Sequence, residues 1–319
     1  MEKELQEELY DTIVIGAGPG GMTAALYASR SDLKTLILER GVPGGQLINT
    51  AEIENYSGFR SIEGPELATK MYEGATAFGA EYSFGDVQEI IDGPDYKQVV
   101  TSDKIYKTRT VVIATGSENR KLNVQGEDAL RGRGVSYCAV CDGAFFRDRP
   151  LVVIGGGDSA VEEGTYLTQF ASEVTIIHRR DELRAQKILQ DRAFANDKVN
   201  FIWDSVVEEI QGENKVDSLR IRNVKTNEVS EISAEGAFIY VGLIPNTEEF
   251  ESLGITDEEG WIITDEYMET AVPGIFAIGD VRQTVLRQVA TAVGDGSIAG
   301  DQIYKYIEAH KTEKAPAVE

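Results

Sequence analysis

Asp11-Thr12-Ile13-Val14-Ile15-Gly16-Ala17-Gly18-Pro19-Gly20-Gly21 decides the fold. A short apolar strand runs straight into a glycine-rich turn. A helical stretch from Met22 to Arg30 and a second apolar strand, Thr35-Leu36-Ile37-Leu38-Glu39, follow. Strand, glycine turn, helix and strand in that order form a βαβ opening of the kind that binds a dinucleotide. The first glycine permits the tight turn, the second lets the backbone approach a pyrophosphate, and the third lets helix pack on strand. The anion then rests on the helix N-terminus, where free N–H groups and the helix dipole favour it.

The pattern recurs. Leu151-Val152-Val153-Ile154 runs into Gly155-Gly156-Gly157-Asp158-Ser159-Ala160, then a helix expected from Val161 to about Phe170 and the strand Val174-Thr175-Ile176-Ile177-His178. Two copies, each set between strand and helix, predict two dinucleotide sites. Other apolar runs end on glycine as well: Thr110 to Gly116, Ala237 to Gly242 and Gly274 to Gly279. Near-continuous apolar strands suit parallel sheets covered on both faces. The alternating Ser218-Leu219-Arg220-Ile221-Arg222-Asn223-Val224 reads instead as part of a small antiparallel meander.

The expected fold class is therefore α/β, with two Rossmann-like, three-layer domains. Residues 119–247 form a domain inserted into another made of 1–118 and 248–319, with crossings near Gly116-Ser117-Glu118-Asn119 and Gly242-Leu243-Ile244-Pro245-Asn246. Two adjacent linkers make a natural hinge.

The residues after each glycine turn separate the two nucleotides. Glu39 ends the second strand of the first unit, where a carboxylate accepts hydrogen bonds from ribose hydroxyls and repels a 2′-phosphate. That site suits FAD or NAD(H). The equivalent place in the second unit holds His178-Arg179-Arg180, with Arg184 a helical turn on. Arginine's planar fork matches phosphate oxygens, so this site prefers NADPH. A solvated cluster paired with Asp181 and Glu182 is the alternative reading of the same arginines.

The chain has 319 residues and two cysteines, both in Cys138-Ala139-Val140-Cys141-Asp142. Its 54 acidic residues against 31 basic ones leave a net charge of −23, which excludes nucleic acid and anionic membrane as natural partners. No apolar run reaches the roughly 18 residues of a membrane span, and the polar, acidic start is unlike a secretory signal. A cytoplasmic protein is expected, and there a CxxC pair points to dithiol chemistry, redox sensing or a metal. Zinc wants four ligands, and with His178 and His310 as the only histidines no metal site is expected.

Taken together, the Gly16 fingerprint, Gly44-Gly45-Gln46, Ala114-Thr115-Gly116, Cys138-Ala139-Val140-Cys141-Asp142-Gly143, the Gly155 fingerprint, His178-Arg179-Arg180-Asp181, Gly279-Asp280 and Arg287-Gln288-Val289-Ala290 resemble the low-molecular-weight bacterial thioredoxin reductases. The resemblance runs from about residue 9 to 308. It implies that Gly16, Gly18, Pro19, Gly21, Glu39 and Arg40 hold the adenosine half of FAD. Gly45, Gln46, Asn55, Val87, Ala114, Thr115 and Gly116 are further implied FAD contacts. Gly279 and Asp280 fall at the ribityl chain, and Arg287, Gln288 and Val289 open a helix facing the flavin. Gly155, Gly157, Asp158 and Ser159 fall at the NADPH pyrophosphate, and His178, Arg179, Arg180 and Arg184 at its 2′-phosphate.

By the same resemblance Cys141 faces the flavin, Cys138 forms the mixed disulfide with the protein substrate, and Asp142 is the general acid. Electrons pass from NADPH to FAD to Cys138–Cys141 to thioredoxin, in a homodimer. In the larger glutathione-reductase-like enzymes the redox cysteines lie in the FAD domain, where this chain has Gly44-Gly45-Gln46-Leu47. Here they ride on the inserted domain, which must therefore rotate to present nicotinamide and disulfide to the flavin in turn. A reductase of another protein or low-molecular-weight disulfide, and a nucleotide-binding redox sensor, remain open alternatives.

Overall fold

The computed structural model describes residues 3–50 and 52–313, with the backbone alone for 52, 140, 141 and 311–313. The chain divides into two compact units, Met1–Glu118 with Pro245–Glu319, and Asn119–Ile244.

The first unit is built on a seven-stranded sheet. Strands Thr35–Glu39, Glu4–Ile15 and Lys104–Ile113 lie side by side and parallel, Val14 standing opposite Ile37 on one side and Val112 on the other. Strand Lys104–Ile113 forks: its first half pairs antiparallel with Lys97–Thr101 and its second half parallel with Ile275–Ala277. The period of two sends alternate residues to opposite faces. Ile13, Leu36, Leu38 and Val111 join a core with Phe250 and Ile262 on one face, while Val14, Ile37, Val112 and Phe276 pack under helices on the other. Both faces are covered, which is why these strands read as unbroken apolar runs.

Two helices on the second face approach unusually closely. A Cβ on Gly296 of helix Val289–Glu313 would lie 2.4 Å from Gly20 O, and one on Gly300 would lie 2.4 Å from Tyr27 Cβ. Small residues at these positions let helix Pro19–Arg30 sit directly on the long C-terminal helix.

The second unit has a five-stranded parallel sheet in the order Val135–Ser136, Gly236–Tyr240, Pro150–Gly155, Glu173–Ile177, Val199–Ile202. Beside it stands a three-stranded antiparallel meander, Ser205–Gln211, Ser218–Asn223 and Val229–Ser233. The crossing segments Ser117–Asn119 and Leu243–Pro245 pair with each other as a two-stranded ribbon.

Both fingerprint helices begin earlier than their apolar periodicity suggests. The first spans Pro19–Arg30, because proline at its first position already has helical φ and has no N–H to leave unsatisfied. The second spans Asp158–Leu167, three residues ahead of Val161 and three short of Phe170. Among the described residues no helix is long and apolar enough to cross a membrane.

Candidate active site

In the first unit the site forms at the C-terminal ends of the parallel strands, the usual place for a ligand in an open α/β sheet. Gly16 has φ +104°, and a Cβ there would stand 2.4 Å from Ala114 O. A Cβ on Gly21 would meet Gly16 O at 2.0 Å, whereas one on Gly18 meets nothing within 4 Å. The first and third glycines are thus demanded by the protein itself. The second faces open space at the N-terminus of the helix that Pro19 begins, a cradle that fits a pyrophosphate. Gly44 N donates to Ala17 O at 2.7 Å, and a Cβ on Gly45 would lie 3.2 Å from Gly18 Cα, so the Gly44-Gly45 turn closes over the cradle.

Gly16→Ala combines a left-handed backbone, costing about 1–3 kcal/mol for a side chain, with a direct backbone clash. Purified G16A is expected to be colourless and to take up no added flavin, read from visible absorbance; a normally yellow variant would remove this cradle from the account.

The Glu39 carboxylate is fixed by backbone, Oε2 accepting from Ala17 N and Oε1 from Gly41 N, both at 2.8 Å. Each oxygen keeps acceptor capacity for a ribose hydroxyl. Gly85 N donates to Glu39 O at 3.0 Å, which brings the chain entering Val87 to the same strand end. Val87's side chain is buried in the core, so only its backbone is available to a ligand. Arg40 points to Glu118, 2.7 Å away, in an exposed ion pair. Gln46 Nε2 donates to Ser117 O at 3.2 Å, and Thr115 Oγ1 to Asn246 O at 2.7 Å, so Ala114-Thr115-Gly116 leads directly to the crossing.

Asp280 follows strand Ile275–Ala277, in the turn Gly279–Val281. Burial pushes its carboxyl up to about 6, with Arg287 opposing the rise and Asp295 adding to it. Hydroxyls of a polyol would restore the lost hydration, as a ribityl chain requires. The Arg287 guanidinium lies over the Trp261 ring, 3.6 Å from its centroid. Asn55 Nδ2 donates to Gln288 Oε1 at 2.8 Å, at the start of helix Val289–Glu313. Val289 itself packs on the cluster of Leu47, Ile53 and Leu67. Asn55, Gln288 and Val289, far apart in sequence, therefore meet around one helix N-terminus.

In the second unit, a Cβ on Gly155 would stand 2.3 Å from Tyr240 O, and one on Gly157 meets nothing within 4 Å, the same division of labour as at Gly16 and Gly18. Asp158 accepts from Gln186 N and Gln186 Nε2, both at 2.7 Å, and Arg184 N donates to Gly156 O at 2.7 Å. These bonds tie the arginine loop to the helix start, where Ser159 is exposed.

His178 is buried, its ring so close under Gly156 that a Cβ there would lie 2.4 Å from Nδ1. Its Nε2 has no hydrogen-bond partner among the described residues. Burial lowers its pKa, and Arg184, Arg179 and Arg180 lower it further. The three arginines are exposed and form no ion pair among the described residues. Asp181 instead pairs with Lys225 at 2.8 Å. Three uncompensated guanidinium groups beside an open glycine turn fit a second phosphate.

The cysteine segment leaves strand Val135–Ser136 and forms the short helix Ala139–Asp142. Cys138 is disulfide-bonded; Cys141 is the other cysteine of the chain, and its side chain lies outside the described residues. Cys138 N donates to Ser136 Oγ at 3.0 Å, Asp142 N to Cys138 O at 3.2 Å, and Ala139 N to Tyr240 Oη at 3.0 Å. Asp142 precedes the turn Gly143–Phe146 but makes no side-chain cap to it, which leaves its carboxylate free of the structural task available to it.

Sequence reasoning missed the supports of these groups. Buried Glu127 accepts from Leu122 N at 2.9 Å, Asn123 N at 2.6 Å and the Tyr137 hydroxyl, pinning the residue before Cys138. Asp295 accepts from Gly279 N at 3.0 Å and pairs with Arg282 at 2.8 Å, holding the Asp280 turn. Asp295 had a signal, as an acid in the small, apolar stretch Ala290 to Gly300. Trp261, the shelf for Arg287, had none.

A family model described as pyridine nucleotide-disulphide oxidoreductase matches residues 10–296. Among relatives, the thioredoxin reductase of Listeria innocua is 62% identical over 304 residues, 95% of each chain. That of Bacillus subtilis is 59% identical, over 95% of this chain and 96% of its own. Among solved structures, Lactococcus lactis thioredoxin reductase in its FR conformation superposes with a TM-score of 0.93 at 58% identity, covering 94% of this chain and 99% of that one. Two glycine cradles, a disulfide-bonded cysteine and matches over nearly the whole length lead to one conclusion: the chain belongs to the pyridine nucleotide-disulphide oxidoreductase family.

Proposed function

We propose that this protein reduces the disulfide of thioredoxin at the expense of NADPH, through FAD and the Cys138–Cys141 pair. The observation that carries the reading is a disulfide-bonded Cys138 in the same compact unit as three unpaired arginines at a glycine cradle. When bound, NADPH and FAD supply the hydride and two-electron chemistry.

The chain's own residues bind and orient. Backbone N–H groups after Gly18 and Gly157 hold the pyrophosphates, Glu39 takes ribose hydroxyls, and Asp280 takes the polyol. The helix opened by Gln288 and Val289 offers its positive end to negative charge on the ring. Arg179, Arg180 and Arg184 select the phosphorylated nucleotide.

Exchange with thioredoxin is a thiolate reaction. The Cys138 thiolate attacks the outside disulfide and releases one thioredoxin sulfur. The Cys141 sulfur then attacks the mixed disulfide, releasing the second thioredoxin sulfur and restoring the Cys138–Cys141 bond. Asp142, next to Cys141, supplies the proton that a leaving sulfur needs. Residues 119–244 turn as a body about the two paired crossings between half-reactions. A homodimer in the cytoplasm completes the reading and rests on the family resemblance.

Anaerobic titration tests the function in one cuvette. NADPH should bleach the flavin absorbance, and oxidised thioredoxin should restore it with stoichiometric thiol formation. A bleached flavin that thioredoxin leaves bleached would overturn the assignment of the acceptor.

A further inference from the structure

Strand Gly236–Tyr240 runs between Val135–Ser136 and Pro150–Gly155, with Ser136 opposite Phe238 and Gly155 opposite Tyr240. The Val135–Ser136 strand stops there. Carried two residues further, its parallel register sets Cys138 beside Tyr240, at the point where the chain leaves the sheet for the short helix Ala139–Asp142. A backbone that leaves a ladder gives up its strand partner, and here a side chain takes over: Tyr240 Oη accepts from Ala139 N at 3.0 Å. Ala139 is 1% exposed, so water does not substitute for that acceptor.

The phenol is itself held firmly. Its ring packs on the cluster of Ala139, Val153, Ala160 and Phe238, and its carbonyl oxygen lies 2.3 Å from where a Cβ on Gly155 would stand. Two other bonds around Cys138, from its N to Ser136 Oγ at 3.0 Å and from Asp142 N to its O at 3.2 Å, join neighbours in the chain and would move with the segment. Tyr240 reaches the segment from an interior strand of the sheet. Neither the nucleotide sites nor the thiol exchange, as described above, gives this hydroxyl a role.

We propose that Tyr240 is a positioning residue for the thiol exchange: by fixing Ala139 N it keeps the two reduced cysteines close, so that the Cys138–Cys141 bond re-forms rapidly. While the bond is intact it restrains the segment by itself; once it is reduced, the hydrogen bond from the sheet takes over that task. Holding two reacting groups in place raises their effective concentration. Without the phenol oxygen a buried donor has no partner, and the open dithiol can shift to relieve it where the closed ring cannot. The balance then moves toward the dithiol, and the attack of Cys141 on the mixed disulfide slows. The inference rests on reading Cys138 and Cys141 as the redox pair.

The test equilibrates the holoenzyme anaerobically with mixtures of glutathione and glutathione disulfide, with neither NADPH nor thioredoxin present. One glutathione disulfide takes two electrons and two protons from the dithiol, giving the Cys138–Cys141 bond and two glutathione thiols. Acid quenching, maleimide labelling and mass spectrometry then count the thiols, which are unambiguous because the chain has no other cysteine. Tyr240→Phe, which keeps the ring and removes only the oxygen, should lower the equilibrium constant for closure about 10-fold, the size of one lost hydrogen bond. For a two-electron couple that is an upward shift of about 30 mV in the potential of the pair.

A role confined to the stability of the fold would lower the melting temperature of Y240F and leave its closing constant at the wild-type value. That value, or a higher one, overturns the proposal. Should Y240F fold poorly, Tyr240→Met carries the same measurement. Failure of the functional reading shows elsewhere, as thioredoxin reduction that survives loss of Cys138.

Discussion

Cys138→Ser is expected to abolish thioredoxin reduction while leaving NADPH-driven bleaching of the flavin intact. A serine oxygen cannot form the mixed disulfide, and at neutral pH it is not ionised as a thiol is. Loss of the nucleophile removes the step rather than slowing it, so steady-state reduction of thioredoxin should fall by about 10³-fold or more. The nucleotide cradles are built from other residues. Cys138 is held through its backbone, by Ser136 Oγ and by Asp142 N, and those bonds do not need the sulfur. Stopped-flow absorbance should therefore show bleaching by NADPH at close to the wild-type rate. Full turnover in this variant would exclude the thiol relay, and loss of bleaching would show that the substitution had damaged the nucleotide sites as well.

Replacing Arg179 and Arg180 together by alanine should reverse the choice of nucleotide. Both guanidinium groups are exposed, and Asp181, their nearest acidic neighbour in sequence, is occupied by Lys225. Among the described residues no ion pair has to be broken before a phosphate binds. A hydrogen bond to a charged group contributes about 1.5–3 kcal/mol, or roughly 10- to 150-fold each. Two such contacts that act partly together should cost on the order of 10³-fold in kcat/KM for NADPH. NADH, which lacks the 2′-phosphate, should be used about as well as by the wild type. The remaining NADPH preference should also weaken as salt rises, because exposed charges are screened. Equal losses with both nucleotides would mean that the arginines support the fold of the loop and do not read the phosphate.

The glycines and the apolar runs were legible because the constraint on each is local. Gly16, Gly21 and Gly155 stand where a Cβ would strike backbone two to three ångströms away, and only one residue type satisfies that. Strands such as Val111 to Ile113 are buried on both faces, so they carry no polar residue to blur the pattern. The boundaries of the helices were less legible. Pro19 and Asp158 were read as parts of the turns, whereas each already lies in the helix.

The supports of the site were illegible for a different reason. Trp261 meets Arg287, and Glu127 collects three backbone N–H groups and a phenol. Each pairing is set by tertiary contact between segments that no period or spacing connects. His178 lies between these cases. It sits where the strand end was expected, yet its ring is tucked beneath Gly156 and is not displayed with the arginines.

The split of the first unit dictates an order of assembly during synthesis. Its central strand, Lys104–Ile113, leaves the ribosome early, but the strand that completes its other flank, Ile275–Ala277, and the helix that seats on Pro19–Arg30 come only near the end of translation. Asn119–Ile244 is continuous and can close on itself while the host half still waits for its missing pieces. A nascent chain stalled some tens of residues past 244 thus carries a finished second unit behind a first segment whose sheet still lacks its last strand.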